Sequence, residues 1–233
     1  MCIDHPRSFG EGVRSRPRAA PAFSAQEIHL RTNVYIDGFN FYYGAVKGTP
    51  YRWLDFAQFC AVLLPRDTIH RIRYYTAQVK PRPHDPDQAV RQATYLRALR
   101  TIPNLTIHEG HFLSHVVSMP SAANPARMVD VIKTEEKGSD VNLAAHLLRD
   151  GFTGDFDIAV VVSNDSDLLE PIRIVQSELG KPVGILNPQK HPSVVLKNEA
   201  KFFKSIRRSA LAKCQFPPVL TDAGGAIKKP SSW

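Results

Sequence analysis

Cysteine is scarce: Cys2, Cys60 and Cys214 are far apart in the chain and in no metal-ligand spacing. That argues against a disulfide framework and a structural zinc site, and fits reduced thiols in a cytoplasmic protein. No apolar run approaches the roughly 18–20 residues a membrane-crossing helix needs. The opening stretch "MCIDHPRSFGEGVRSRPRAAP" carries Arg, Pro and Gly but no apolar centre, so it does not read as a secretory signal. No internal repeat is visible. A dinucleotide-binding fold would place G-x-G-x-x-G after its first strand, and "DGFNFYYG" does not supply it. A haloacid-dehalogenase-type phosphatase would need a second aspartate two residues after Asp37, where Phe39 stands. The expectation is a soluble, intracellular protein of another kind.

What is present is an ordinary apolar content in 233 residues, enough for one domain with extensions. The formal charge of +8 and a pI near 9.5 point towards a polyanionic partner such as nucleic acid. Residues 1–31 lack an apolar period and are expected to form a loose, basic extension. The tail, residues 213–233, contains "QFPPVLTDAGGAIKKPSSW" and is expected to be flexible. Between them, residues 32–212 alternate strands and helices. "NVYID", "IHRIRYYTAQV", "LTIHEGHFL", "MVDVIKTEE", "FDIAVVVS" and "PVGILN" read as strands, with a Pro- and Ser-bearing loop over 114–127. "LDFAQFCAVLL", "DPDQAVRQATYLRALRTI", "SDVNLAAHLLRDGF" and "DLLEPIRIVQSELG" read as helices. The pattern predicts an α/β fold with a mainly parallel sheet covered on both faces, and ligands beyond the carboxyl ends of its strands.

Acidic residues gather at those ends. Asp37 follows "NVYI", and taken alone "DG" suits a turn. Asp140 opens a helix, where Ser139 or Asp140 would serve as an ordinary cap. Asp165 and Asp167 follow the most apolar strand; capping explains one carboxylate there but not a second at i+2. In a parallel sheet Asp37, Asp165 and Asp167 leave at one edge, and the start of the Asp140 helix can face them. Carboxylates that crowd together repel unless a cation neutralises them, and an all-oxygen set suits Mg²⁺ or Mn²⁺. Such ions activate water against phosphodiesters. Glu135 and Glu136 are adjacent in a strand, so at most one aims where Asp140 aims.

"VYIDGFNFYYG", "KTEEKGSDVNLAAHLL" and "VVVSNDSDLLEPI…LGKPVGIL", in this order, resemble the NYN domain family, the PIN-like group of predicted ribonucleases, over about residues 32–210. The resemblance implies a PIN-like three-layer α/β/α sandwich and divalent-metal-dependent RNA cleavage, leaving a 5′-phosphate and a 3′-hydroxyl. It implies Asp37 as the first-strand acid, Asn40 as the polar residue after it, Asp140 as the acid opening the middle helix, and Asp165 with Asp167 as the pair after the fourth strand. These four aspartates would hold the metal, with Glu136 and Ser163 in support. A homodimer is compatible with it.

For RNA contacts, Lys137 lies beside the acidic motif, and Arg71, Arg73, Lys80 and Arg82 lie along one strand and its end, with Tyr75 in the same row. A solvated strand edge accounts for these charges equally well. His108, His111 and His115 read as structural or surface histidines. Tyr42, Tyr43, Tyr51, Trp53 and Phe56 read as core and loop packing more readily than as a base-stacking platform. Against the ribonuclease stands a non-catalytic RNA-binding or regulatory adaptor with a metal-stabilised pocket. An oxidoreductase is a distant third, since no flavin or nicotinamide motif is present.

Overall fold

The structure, a computed structural model, describes Met1 and residues 30–233. The extension expected over 1–31 lies outside the described residues save for Met1, Leu30 and Arg31, of which the last two open the first strand.

Seven strands form the central sheet: β1 (Leu30–Asp37), β2 (Asp67–Ala77), β3 (Leu105–Pro120), β4 (Met128–Lys137), β5 (Ile158–Val162), β6 (Val183–Asn187) and β7 (Phe202–Ser205). Their order is β4-β3-β2-β1-β5-β6-β7, parallel throughout except for the antiparallel β3–β4 pair. Along β1, Val34 and Ile36 pack into one core and Tyr35 into the other; along β5, Val160 and Val162 part from Ala159 and Val161 in the same way. Period-two side chains buried on both faces are what an apolar run such as "IAVVV" produces in a covered parallel sheet.

One face is covered by α2 (Phe56–Leu63), α3 (Gln88–Leu99) and α7 (Arg208–Lys213). The other is covered by α4 (Ser139–Phe152), α5 (Leu169–Arg173) and α6 (Val194–Glu199). A short α1 (Gly38–Phe41) runs on as a wider turn over Tyr42–Val46, and a 3₁₀ turn, Ser166–Leu168, precedes α5. No helix of the described residues is long and apolar enough to cross a membrane.

Two segments differ from the sequence expectation. The presumed flexible tail forms the hairpin β8 (Val219–Asp222) and β9 (Gly225–Lys228) and docks on the first core. Its docking partner is Trp53, whose ring meets Phe216 at 5.8 Å and Trp233 at 6.3 Å and whose indole N–H donates to the Pro217 carbonyl at 2.9 Å. Arg97 and Asp222 pin the hairpin to α3. The loop expected over 114–127 is strand in its first half only: β3 leaves β2 after Gly110 and continues, paired with β4 alone, to Pro120, and the loop proper spans 121–127.

Candidate active site

The chain winds outward from β1 on one side of the sheet and from β5 on the other, so the strand order reverses between them. Crevices beyond the carboxyl ends at such a reversal are the usual ligand sites of α/β sheets. Ile36 is in register with Val162, which sets Asp37 beside Ser163 at the mouth of this crevice.

Asp37 is buried and caps α1, its Oδ1 accepting from the Asn40 N–H at 3.0 Å. The "DG" pair is therefore a strand-to-helix junction and not a hairpin turn. Gly38 is required there because a Cβ would stand 2.5 Å from the Tyr75 carbonyl oxygen. The Ser163 hydroxyl donates to Asp37 Oδ2 at 2.9 Å and accepts from the Asp165 N–H at 3.1 Å. One hydroxyl thus links Asp37 to Asp165. Asp165 Oδ1 accepts in turn from the Asp167 N–H at 3.0 Å, holding the 3₁₀ turn. Asn40 Oδ1 accepts from the Asn164 N–H at 3.1 Å, and Gln189 Nε2 donates to the Asn40 carbonyl at 3.1 Å. Asn40 is therefore a positioning residue that ties the ends of β1, β5 and β6 together.

From the other side comes the start of α4. Neither Ser139 nor Asp140 caps it. Gly138, with φ of 97°, takes the N-cap position, and Glu136 reaches over to accept from the Ser139 N–H at 3.1 Å and from its hydroxyl at 2.6 Å. Gly110 makes this possible, because a Cβ there would run into Glu136 Oε1. Asp140 is thereby left without a hydrogen bond to its carboxylate among the described residues. Its carboxyl is pushed up to about 6, first by partial desolvation and then by the charges of Asp37, Asp165, Glu136 and Asp167. Burial, with Asp165 adding to it, raises Asp37 as well, against the hydrogen bonds from Asn40 and Ser163. Five carboxylates from three separate segments therefore share one electrostatic neighbourhood.

Among the described residues no group of three or more His, Cys, Asp or Glu is arranged to hold a metal ion by itself. Magnesium does not require one: it is usually held by one or two carboxylates, completed by waters and substrate phosphate oxygens. The donor set, all oxygen and mutually repelling, fits such an ion in its chemistry.

The cations expected to grip RNA are distributed differently. Arg73 is buried, with Nε 2.8 Å and Nη2 3.1 Å from the two oxygens of buried Asp150. Arg71 is paired with Asp155 at 3.0 Å. Both are structural ion pairs, and Tyr75 below them is fully buried, its ring stacked on His108. Lys137 pairs with Glu135 at 3.1 Å, on the face of β4 opposite Glu136. Lys80 and Arg82 are exposed, and Arg82 lines a cleft next to the acidic site. Trp53 and Phe56 belong to the core as expected, whereas Tyr42 and Tyr43 line that same cleft. Sequence reading passed over Asn164 and Gln189; both act through backbone contacts to distant segments, which leave no local pattern.

A three-layer α/β/α sandwich carrying acidic residues at the reversal of a mainly parallel sheet is the PIN-like architecture. The NYN domain profile matches residues 31–207, and the chain belongs to that family, a PIN-like nuclease group generally connected with RNA. A curated relative is "6-hydroxy-3-succinoylpyridine 3-monooxygenase HspA" of Pseudomonas putida, 31% identical over an alignment of 236 positions, gaps included, that covers 88% of this chain and 75% of that protein. The crystal structure of a protein of unknown function, VPA0982 of Vibrio parahaemolyticus, matches 78% of this chain and 96% of its own. Its TM-score is 0.53 at 18% identity, a likeness of fold alone.

Proposed function

We propose that the protein is a divalent-metal-dependent ribonuclease that hydrolyses RNA phosphodiester bonds. The observation that carries this reading is the single hydroxyl linking Asp37 to Asp165, with the Asp140 carboxyl pushed up to about 6 by the same neighbours. Asp37, Asp140, Asp165 and Asp167 would hold Mg²⁺ or Mn²⁺. The bound ion would offset their mutual repulsion, polarise the scissile phosphate and make water a nucleophile near neutral pH. Ser163 and Asn40 fix the orientation of Asp37 and of the Asp165 loop. Glu136 fixes the start of α4 and so the place of Asp140.

The test is incubation of labelled single-stranded RNA with the protein and Mn²⁺, against the same mixture with EDTA, for the wild type and Asp165→Asn. Cleavage in the wild type with Mn²⁺ alone, ending in a 5′-phosphate and a 3′-hydroxyl, is expected. Cleavage that survives in Asp165→Asn refutes the assignment, and RNA binding without cleavage marks the chain as an adaptor. The name of the HspA relative favours a second reading, hydroxylation of a pyridine. Mass analysis of 6-hydroxy-3-succinoylpyridine after incubation with the protein, oxygen and a reduced nicotinamide tests it: one added oxygen atom would support it.

A further inference from the structure

We propose that the cleft beside the acidic site is a nucleotide subsite, taking one unstacked base of a single strand together with its phosphate. The proposal rests on the ribonuclease reading and names how substrate is held. The cleft has a volume of about 480 Å³, within the range of small-molecule sites, and Gly38, Phe39 and Glu136 all line it. Gly38 and Phe39 directly follow Asp37, and Glu136 caps the helix that carries Asp140, so the cleft borders the acidic site while the four aspartates lie outside its lining.

Its walls are aromatic. Phe39 from α1 and Phe112 from β3 meet edge to face at 5.7 Å, as do Tyr42 and Tyr43 at 5.3 Å, and Trp233 closes the cleft against Tyr95. In an edge-to-face pair the edge of one ring meets a single face of the other, so the faces turned away from the contact stay uncovered by it, and a base stacks on an aromatic face whatever its sequence identity.

The cleft is also cationic. Lys47, Arg52, Arg82 and Arg91 line it against the carboxylates Asp85 and Glu136. Arg91 is paired with Asp85. Lys47, Arg52 and Arg82 have no carboxylate partner among the described residues: the Lys47 ammonium lies 4.5 Å from the centre of the Tyr43 ring, and Arg52 donates to the carbonyls of Thr49 and Ser232. Stacking faces beside uncompensated cations match a planar ring that carries a phosphate. The neighbouring carboxylates would instead repel a phosphate in the absence of a cation, which divides the labour: the cleft grips and the acidic site cuts.

The test is calorimetric titration of the full chain with 5′-AMP and 5′-UMP in EDTA, where no cleavage occurs. Saturable binding of both is expected, weakened about tenfold or more by Phe112→Ala and by Arg82→Ala, with the circular dichroism of both variants unchanged. Nucleotide affinity equal in the wild type and both variants overturns the subsite. So does inorganic phosphate or benzoate binding as tightly as the nucleotides, since the site would then read only charge or only an aromatic acid. Nucleotide binding without metal-dependent RNA cleavage upholds the subsite and removes the ribonuclease; cleavage without nucleotide binding does the reverse.

Discussion

Replacing Arg73 by methionine separates a structural arginine from an RNA-contacting one. Arg73 is 5% exposed and Asp150 is 1% exposed, and two hydrogen bonds of 2.8 and 3.1 Å join them. Breaking a buried ion pair from one side typically costs about 3–5 kcal/mol, because the remaining charge is left without its counter-charge. Here Asp150 keeps two donors, the Tyr35 hydroxyl at 2.9 Å and Arg149 at 2.9 Å, which places the expected loss at the lower end, about 3 kcal/mol. At roughly 2–4 °C per kcal/mol for a domain of this size, the melting temperature should fall by about 6–12 °C. Urea unfolding gives the free energy, and the double variant Arg73→Met/Asp150→Leu should recover only part of it, because apolar residues replace both charges but the buried Tyr35 hydroxyl loses its acceptor. RNA affinity, measured well below the melting temperature, should not change. If Arg73→Met kept its full stability and bound RNA more weakly, the ion-pair assignment would be wrong and the phosphate-contact reading right.

Two further outcomes follow from the geometry. The Asp140 carboxyl titrates near 6 in the native protein and near its ordinary value when unfolded, so the native state binds more protons between about pH 4 and 6. Metal-free protein should therefore lose stability as pH rises through that window and stay lower above it. Asp140→Asn should match the wild type near pH 4 and exceed it near pH 8, by about 1 kcal/mol once solvent screening of an exposed group is allowed for; a flat difference across that range contradicts the raised pKa. Phe216 is buried against Trp53, so Phe216→Ala should cost about 3 kcal/mol in urea unfolding, whereas a change under about 0.5 kcal/mol is what a flexible tail would give.

The strands and their acidic ends were legible because both signals are local. An apolar run such as "IAVVV" declares a covered strand, and a second aspartate two residues after Asp165 has no capping role to explain it. The order of the tail was not legible, since Pro, Gly and Ser dominate it and the surface it covers, Trp53, lies some 160 residues earlier in the chain. The outer part of β3 read as a loop because both its faces meet solvent, leaving residues such as Val116 and its partner Ile132 exposed and erasing the alternation that marks a half-buried strand. Arg71 and Arg73 carry the same charge whether they meet phosphate or aspartate; only the fold brings Asp155 and Asp150 to them. Glu136 illustrates the opposite case. Adjacent glutamates must point to opposite faces, and the structure places Glu136 on the helix cap and Glu135 between Lys133 and Lys137.

The central claim is that carboxylates from separate segments make one pocket for a hard dication. Thermal unfolding of the wild type, Asp37→Asn and Asp165→Asn with and without Mn²⁺ tests it most directly. At a hundredfold excess of Mn²⁺ over its dissociation constant the native wild type gains about 2.7 kcal/mol. That raises its melting temperature by roughly 5–11 °C, and the rise should be absent or much smaller in both variants. A wild type indifferent to Mn²⁺, or variants that gain as much as the wild type does, would contradict the account.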